Sequence, residues 1–206
     1  MCPRLSLAAV AIIAGIATSA AGSFGARAEE ADDGFAKRLF AGDIAKQEKS
    51  YACFVRVYEA THLSQHPLQK VSAMKLLVRA ETMPETEALN YSFRLGVKLR
   101  DRRGEFDSGG DCGRINDPDI AHNAAQLGCG VDCDGGGITI ELSNDGKWTK
   151  VGLESIRIWR IGKTDDDGLT LNGGKDDRMF RLDRAGLDKC RSLVIDSKEL
   201  AAMRLK

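Results

Sequence analysis

The chain has little of what most catalytic and membrane-embedded architectures require. Beyond residues 1–28 no stretch approaches the roughly 20 apolar residues of a transmembrane helix. Aromatics are scarce, with seven Phe, three Tyr and two Trp. The stacking platforms of a single-strand nucleic-acid binder and the aromatic girdles of an outer-membrane barrel are therefore both missing. Neither charge dominates, because 30 Lys and Arg oppose 30 Asp and Glu; the balance gives no overall pull toward nucleic acid or anionic lipid. Histidine occurs only at His62, His66 and His122, and no Gly-x-Ser-x-Gly elbow is present, so a serine-hydrolase triad has little to be built from.

What is present begins with a leader. A lone Arg4 precedes an apolar, small-residue run from Leu5 to Gly22, and Ala26-Arg27-Ala28 places small residues at −3 and −1 of a signal-peptidase site. The pattern predicts cleavage after Ala28, and 206 residues less 28 leave a mature chain of 178. That length suits one β-rich domain, residues 29–206, with a substantial core. Cys2 precedes the apolar run, whereas the acylated cysteine of a lipoprotein follows one. The expected product is a soluble protein of the periplasm or the exterior, with no membrane span, no nucleic-acid partner and no cofactor.

A period of two dominates the mature chain. After an acidic stretch from Glu29 to Gly34, Phe35 to Phe40 reads as one or two helical turns stopped by Gly42. Tyr51, Cys53, Val55 and Val57 then share one strand face and Phe54, Arg56 and Tyr58 the other, the pattern of a central strand. Val71 to Ala80 forms a second strand, and Glu81 to Glu87 a charged turn. From Leu89 to Arg100 the alternation is unbroken: Leu89, Tyr91, Phe93, Leu95, Val97 and Leu99 point one way. Between Asp101 and Gly137 a Gly, Asp and Cys texture reads as loop, enclosing a helix from Pro118 to Leu127 with Asp117 as N-cap and Gly128 past its end. Ile138, Ile140 and Leu142 face inward, and Asn144-Asp145-Gly146 turns the chain into Trp148 to Arg160. Inward parity slips there from Val151 and Leu153 to Ile156 and Ile158, which requires a bulge near Glu154 and Ser155. Turns at Asp165–Gly168 and Gly173–Asp177 frame the short strands Leu169 to Leu171 and Met179 to Leu182, and Asp196 with Glu199 caps a terminal helix ending near Leu205. The fold class is mainly β, an antiparallel meander forming a barrel or strongly coiled sheet, with a sandwich as second choice.

Five cysteines remain after cleavage: Cys53, Cys112, Cys129, Cys133 and Cys190. Export to an oxidising compartment makes disulfides the first reading. Cys53 on the first long strand is matched to Cys190, since a closed sheet brings its ends together; closing so long a loop contributes on the order of 4 kcal/mol in the chain-entropy model, less any strain. Cys112 is matched to Cys129 or Cys133, leaving one thiol over. Zinc at Cys112, Cys129 and Cys133 is the weaker reading, because their gaps fit no strong zinc spacing. Asp132 to Gly137 begins like a calcium loop but has Gly136 and Ser143 where the fifth and twelfth ligands belong.

His62 and His66 have the i, i+4 spacing of two metal ligands on a helix, but Pro67 opposes a helix and no Glu completes a zinc-protease motif. They read as residues of a loop. Arg94, Lys98 and Arg100 share the polar face of one strand, with Lys75 or Arg79 alongside; a solvated face is favoured over an anion-binding stripe. The run Arg56-Val57-Tyr58 with His62-Leu63 and His66-Pro67 resembles a pattern found in uncharacterised exported proteins of alphaproteobacteria, a likeness that implies export and assigns no catalysis. The architecture is similar to lipocalin-like barrels at the level of fold alone, since the Gly-x-Trp signature beside their first strand is absent. The leading expectation is a non-enzymatic binding or interaction protein of the cell envelope, whose partner is a small ligand or an envelope protein. The alternative is an envelope hydrolase, carboxylate- or cysteine-dependent, with its site in the loop Asp107–Asp134.

Overall fold

The computed structural model describes residues 34–42, 49–86, 88–115, 126–161 and 168–204. The cleavage site after Ala28, the first eight residues of the expected Pro118–Leu127 helix, with His122, and Asp165 to Asp167 lie outside them.

Alternating side chains build one antiparallel sheet. Among the described residues its strands are β1 (Lys49–Val57), β2 (Val71–Thr82), β3 (Leu89–Leu99), β4 (Phe106–Ile115), β5 (Gln126–Gly130), β6 (Gly136–Leu142), β7 (Trp148–Arg160), β8 (Leu169–Asn172) and β9 (Met179–Ala185). Each strand from β1 to β6 pairs with its successor. β9 pairs with both β7 and β1, and the sheet closes in a ring. The long strand β7 carries β6 and then β4 along one edge, and β9 and then β8 along the other. The parity slip seen in the sequence is a bulge: Gly137 pairs with Ser155 and Ile138 with Leu153, so Glu154 is left without a partner on β6. Val151 and Leu153 before it, and Ile156 and Ile158 after it, are all buried.

Inward-facing side chains from every strand meet in a single cluster that includes Phe54, Leu76, Phe93, Leu95, Phe106, Leu127, Ile140, Ile156, Leu171 and Phe180. The ring is thus packed with side chains, and their removal from water is the main stabilising term. One end is closed by α1, residues 34–40, whose Phe35 and Leu39 are fully buried. Tyr91 packs between Phe35 and Phe40, at centroid distances of 6.2 and 6.4 Å. The last carbonyls of a helix lack intrahelical donors; here Arg184 Nη2 donates to those of Arg38 and Leu39, each at 2.9 Å.

A second apolar cluster covers the outer face of β1 and β2. Tyr51, Cys53 and Leu77 lie beneath Cys190, Leu193 and Val194, of which the first two belong to the 3-10 helix Leu187–Leu193, and Met203 of α3 (Ser197–Arg204). Gly96 permits this close approach, since a Cβ there would stand 2.6 Å from Leu193 Cδ2. Apolar residues on both faces of β1 agree with its central place between β2 and β9. Asp196 Oδ1 accepts from the Glu199 N–H at 2.8 Å, the capping interaction expected of that pair. No helix of the described residues is long and apolar enough to cross a membrane.

Three local expectations are corrected. The Asp107–Asp134 stretch is not one loop, because its described part contains β4 and β5. Glycine carries no side chain to show alternation, and here it serves contact: a Cβ at Gly110 would collide with the Gly130 carbonyl. The helix expected to end at Leu127 cannot include its last two residues, since Gln126 and Leu127 begin β5 and Leu127 pairs with Ile140 in the core. The loop expected around His62 is instead α2 (Ala60–Gln65), with His66 as its C-cap. Pro67 lies beyond the final turn, where it stops a helix without disrupting one.

Candidate functional site

The cysteines lie on two separate parts of the ring. Cys53 is bonded to Cys190, which pins the 3-10 helix to β1, and Cys112 is bonded to Cys129 across β4 and β5. Cys133 is free and exposed, in a tight turn where it and Asp134 have φ of 56° and 60°. With Cys112 and Cys129 oxidised, the region of the hydrolase alternative keeps Cys133 and its carboxylates but not the thiolate cluster. The two described histidines stand elsewhere, in α2 and its cap. Among the described residues no group of three or more His, Cys, Asp or Glu is placed to hold a metal ion.

The basic stripe is largely engaged within the fold. Lys75 Nζ donates to Ser192 Oγ at 3.1 Å, Lys98 pairs with Glu105 at 2.8 Å, and Arg79 reaches both Ser92 and Glu199. Arg100 Nη1 donates to the carbonyls of Leu63, His66 and Gln69, neutralising the C-terminal end of α2. The open groove of about 770 Å³ between the outer face of β2–β4 and the C-terminal segment is lined by the Arg79–Glu199 pair and by Arg94, whose side chain lies over Gly109.

At the end of the ring opposite α1 the situation differs. Ladder pairing between β1 and β9 covers only Cys53–Val55 with Asp183–Ala185, although β1 continues to Val57 and β9 starts at Met179. The strands part, and a cleft of about 450 Å³ opens at the seam. One wall is an aromatic stack built from the Arg56-to-Pro67 stretch: the rings of Tyr58 and His62 lie 4.7 Å apart and those of His62 and His66 4.3 Å apart. The other wall carries Lys175, Arg178, Met179 and Arg181. Arg56, from the inward-facing parity of β1, reaches through the opening to Asp183 at 3.1 Å.

Buried polar contacts hold this geometry. Gln69 Nε2 donates to the Val71 carbonyl at 2.6 Å, which leaves Oε1 to accept from His62 Nε2 at 3.0 Å. A neutral His62 is thereby held as the Nε2–H tautomer, with Nδ1 as its acceptor. Asp177, fully buried, accepts from the Lys70 and Val71 N–H groups at 2.7 and 3.3 Å, and Asp176 accepts from Leu68 N–H at 3.1 Å. These two carboxylates tie the 66–71 loop to the turn before β9. Burial pushes the Tyr58 hydroxyl up to about 12, so it stays protonated at neutral pH.

Charge is unevenly spent here. Asp176 and Asp177 serve backbone donors, and Asp183 answers both Arg56 and Arg181, whose Nε lies 3.6 Å from its carboxylate. Lys175 and Arg178 are exposed on the same rim. The arrangement presents hydrogen-bond donors and positive charge beside a flat imidazole face. Arg56, Tyr58, His62 and His66 were linked in sequence by the pattern of one stretch, with no site assigned to them. Lys175, Arg178 and Arg181 were not, because only the β1–β9 closure brings them there. The chain matches no protein-family model, no curated protein and no solved structure.

Proposed function

We propose that this is an exported, non-enzymatic binding protein of the cell envelope that takes anionic groups in the cleft between β1 and β9. One observation carries the reading: the interior of the ring is packed with side chains, while the seam gathers Lys175, Arg178 and Arg181 around an open cleft. An oxidising compartment accords with the two disulfides and with the leader. The likeness to exported proteins of alphaproteobacteria rests on Arg56 to Pro67, the stretch that forms the stacked wall. Calorimetric titration of the mature protein with citrate at low and high salt tests this. Saturable binding that weakens with salt, and that falls about tenfold in R178A/R181A, is expected from the loss of two cationic contacts. Absence of saturable binding, or equal affinity in the double variant, would overturn it.

A further inference from the structure

Building on that reading, we infer that the physiological occupant of the cleft is an extended acidic peptide segment of an envelope partner, added as a strand along the free edge of β9. The main-chain directions carry this. Arg184 N–H donates to Lys147 O and Arg178 O accepts from Leu153 N–H, so even-numbered residues of β9 turn their polar backbone toward β7. By the alternation of an antiparallel ladder, the N–H and C=O of Met179 and Arg181 point into the seam. On the facing strand Tyr58 N–H donates to Ser72 O, so Val57 likewise turns its backbone toward the seam. Neither Met179, Arg181 nor Val57 has a ladder partner across the seam among the described residues.

A sheet edge with unpaired groups is a template for a further strand. Two features specify which strand. Val57 and Met179 are 72 % and 55 % exposed, apolar side chains at the very place where the edge is free. Lys175, Arg178 and Arg181 rim the same opening; of the nearby carboxylates, Asp177 accepts from two backbone donors, and Asp176 accepts from Leu68 N–H with its other oxygen 3.9 Å from His66 Nδ1. Main-chain pairing to β9, apolar contact with Met179 and Val57, and acidic side chains on the cationic rim together describe an extended chain of mixed acidic and apolar residues.

The test uses the mature protein and a short synthetic peptide alternating Glu and Val. Its comparators are the same peptide N-methylated at alternate residues, a Lys and Val counterpart, and citrate. Fluorescence polarisation should show the Glu peptide binding, N-methylation weakening it about tenfold through lost main-chain hydrogen bonds, and the Lys peptide failing. Amide exchange at Val57, Met179 and Arg181 should slow on binding. If the N-methylated peptide binds equally well and these amides are unprotected, strand addition is overturned while anion binding stands. If neither citrate nor peptide binds, the reading of the cleft as an anion site fails as well. Sedimentation showing a homodimer that the Glu peptide does not dissociate, with these amides protected in the free protein, would assign the edge to a second copy and overturn the peptide.

Discussion

Asp107 illustrates how position on the sheet sets the behaviour of one side chain. It lies on β4 between Gly96 of β3 and Trp159 of β7, and burial holds its carboxyl above the usual range against the opposing pull of Arg94. A carboxyl raised in the folded state supports folding below its unfolded value, about 3.9, and that contribution is lost as pH climbs through the folded value. Asp107→Asn cannot ionise and so escapes the loss. The stability of the variant relative to the wild type should therefore grow as pH rises from the acid side to neutrality, read from denaturant midpoints on both sides of the carboxylate range. A difference that stays constant with pH would refute the assignment. The same residue scale explains part of what the sequence hid. Arg94 and Arg100 look alike in the alternating pattern, yet Arg100 is committed to three carbonyls around α2 while Arg94 lies over Gly109.

At the scale of elements, legibility followed side-chain pattern. β3 was readable because Tyr91, Phe93, Leu95 and Val97 are buried and Arg94 and Lys98 exposed, a period that only a strand satisfies. The bulge at Glu154 was readable for the same reason, as a change of parity. β4 and β5 were not, because glycine leaves no side-chain periodicity, and Gly109 and Gly110 sit where a Cβ would meet the backbone of Phe93 and Gly130. Five residues of β5 also gave too short a window for Leu127 and Cys129 to outweigh a helical spacing. One disulfide, Cys112–Cys129, ties these two strands together, and the cysteine pairing leads to a direct measurement. Denatured, unreduced mature protein should show one free thiol, Cys133. Cys112→Ser should raise that count to two and lower stability by about 2 to 5 kcal/mol. Five thiols with stoichiometric zinc would contradict the disulfide framework.

For the whole molecule, the first expected outcome concerns processing. Intact mass of the exported protein should correspond to a chain starting at Glu29, and a product retaining residues 1–28 in the membrane would overturn the export reading. The rest is a matter of what each level of organisation can encode. Local order was written in the chain itself: the alternation that makes strands, the turn residues, the parity slip and the supply of thiols depend on neighbours within a few positions. Which cations are engaged within the fold depended on tertiary packing, because Lys75 meets Ser192 and Arg79 meets Glu199 only once the C-terminal segment is laid over β2. The open seam has the same origin. β1 and β9 are separated by more than a hundred residues of chain, and their ladder stops at Val55 and Asp183, while β1 stays paired with β2 as far as Val57 and β9 with β7 from Met179. Short-range periodicity carries no information about where such a long-range pairing ends, so the cleft and its cationic rim exist only in the folded protein.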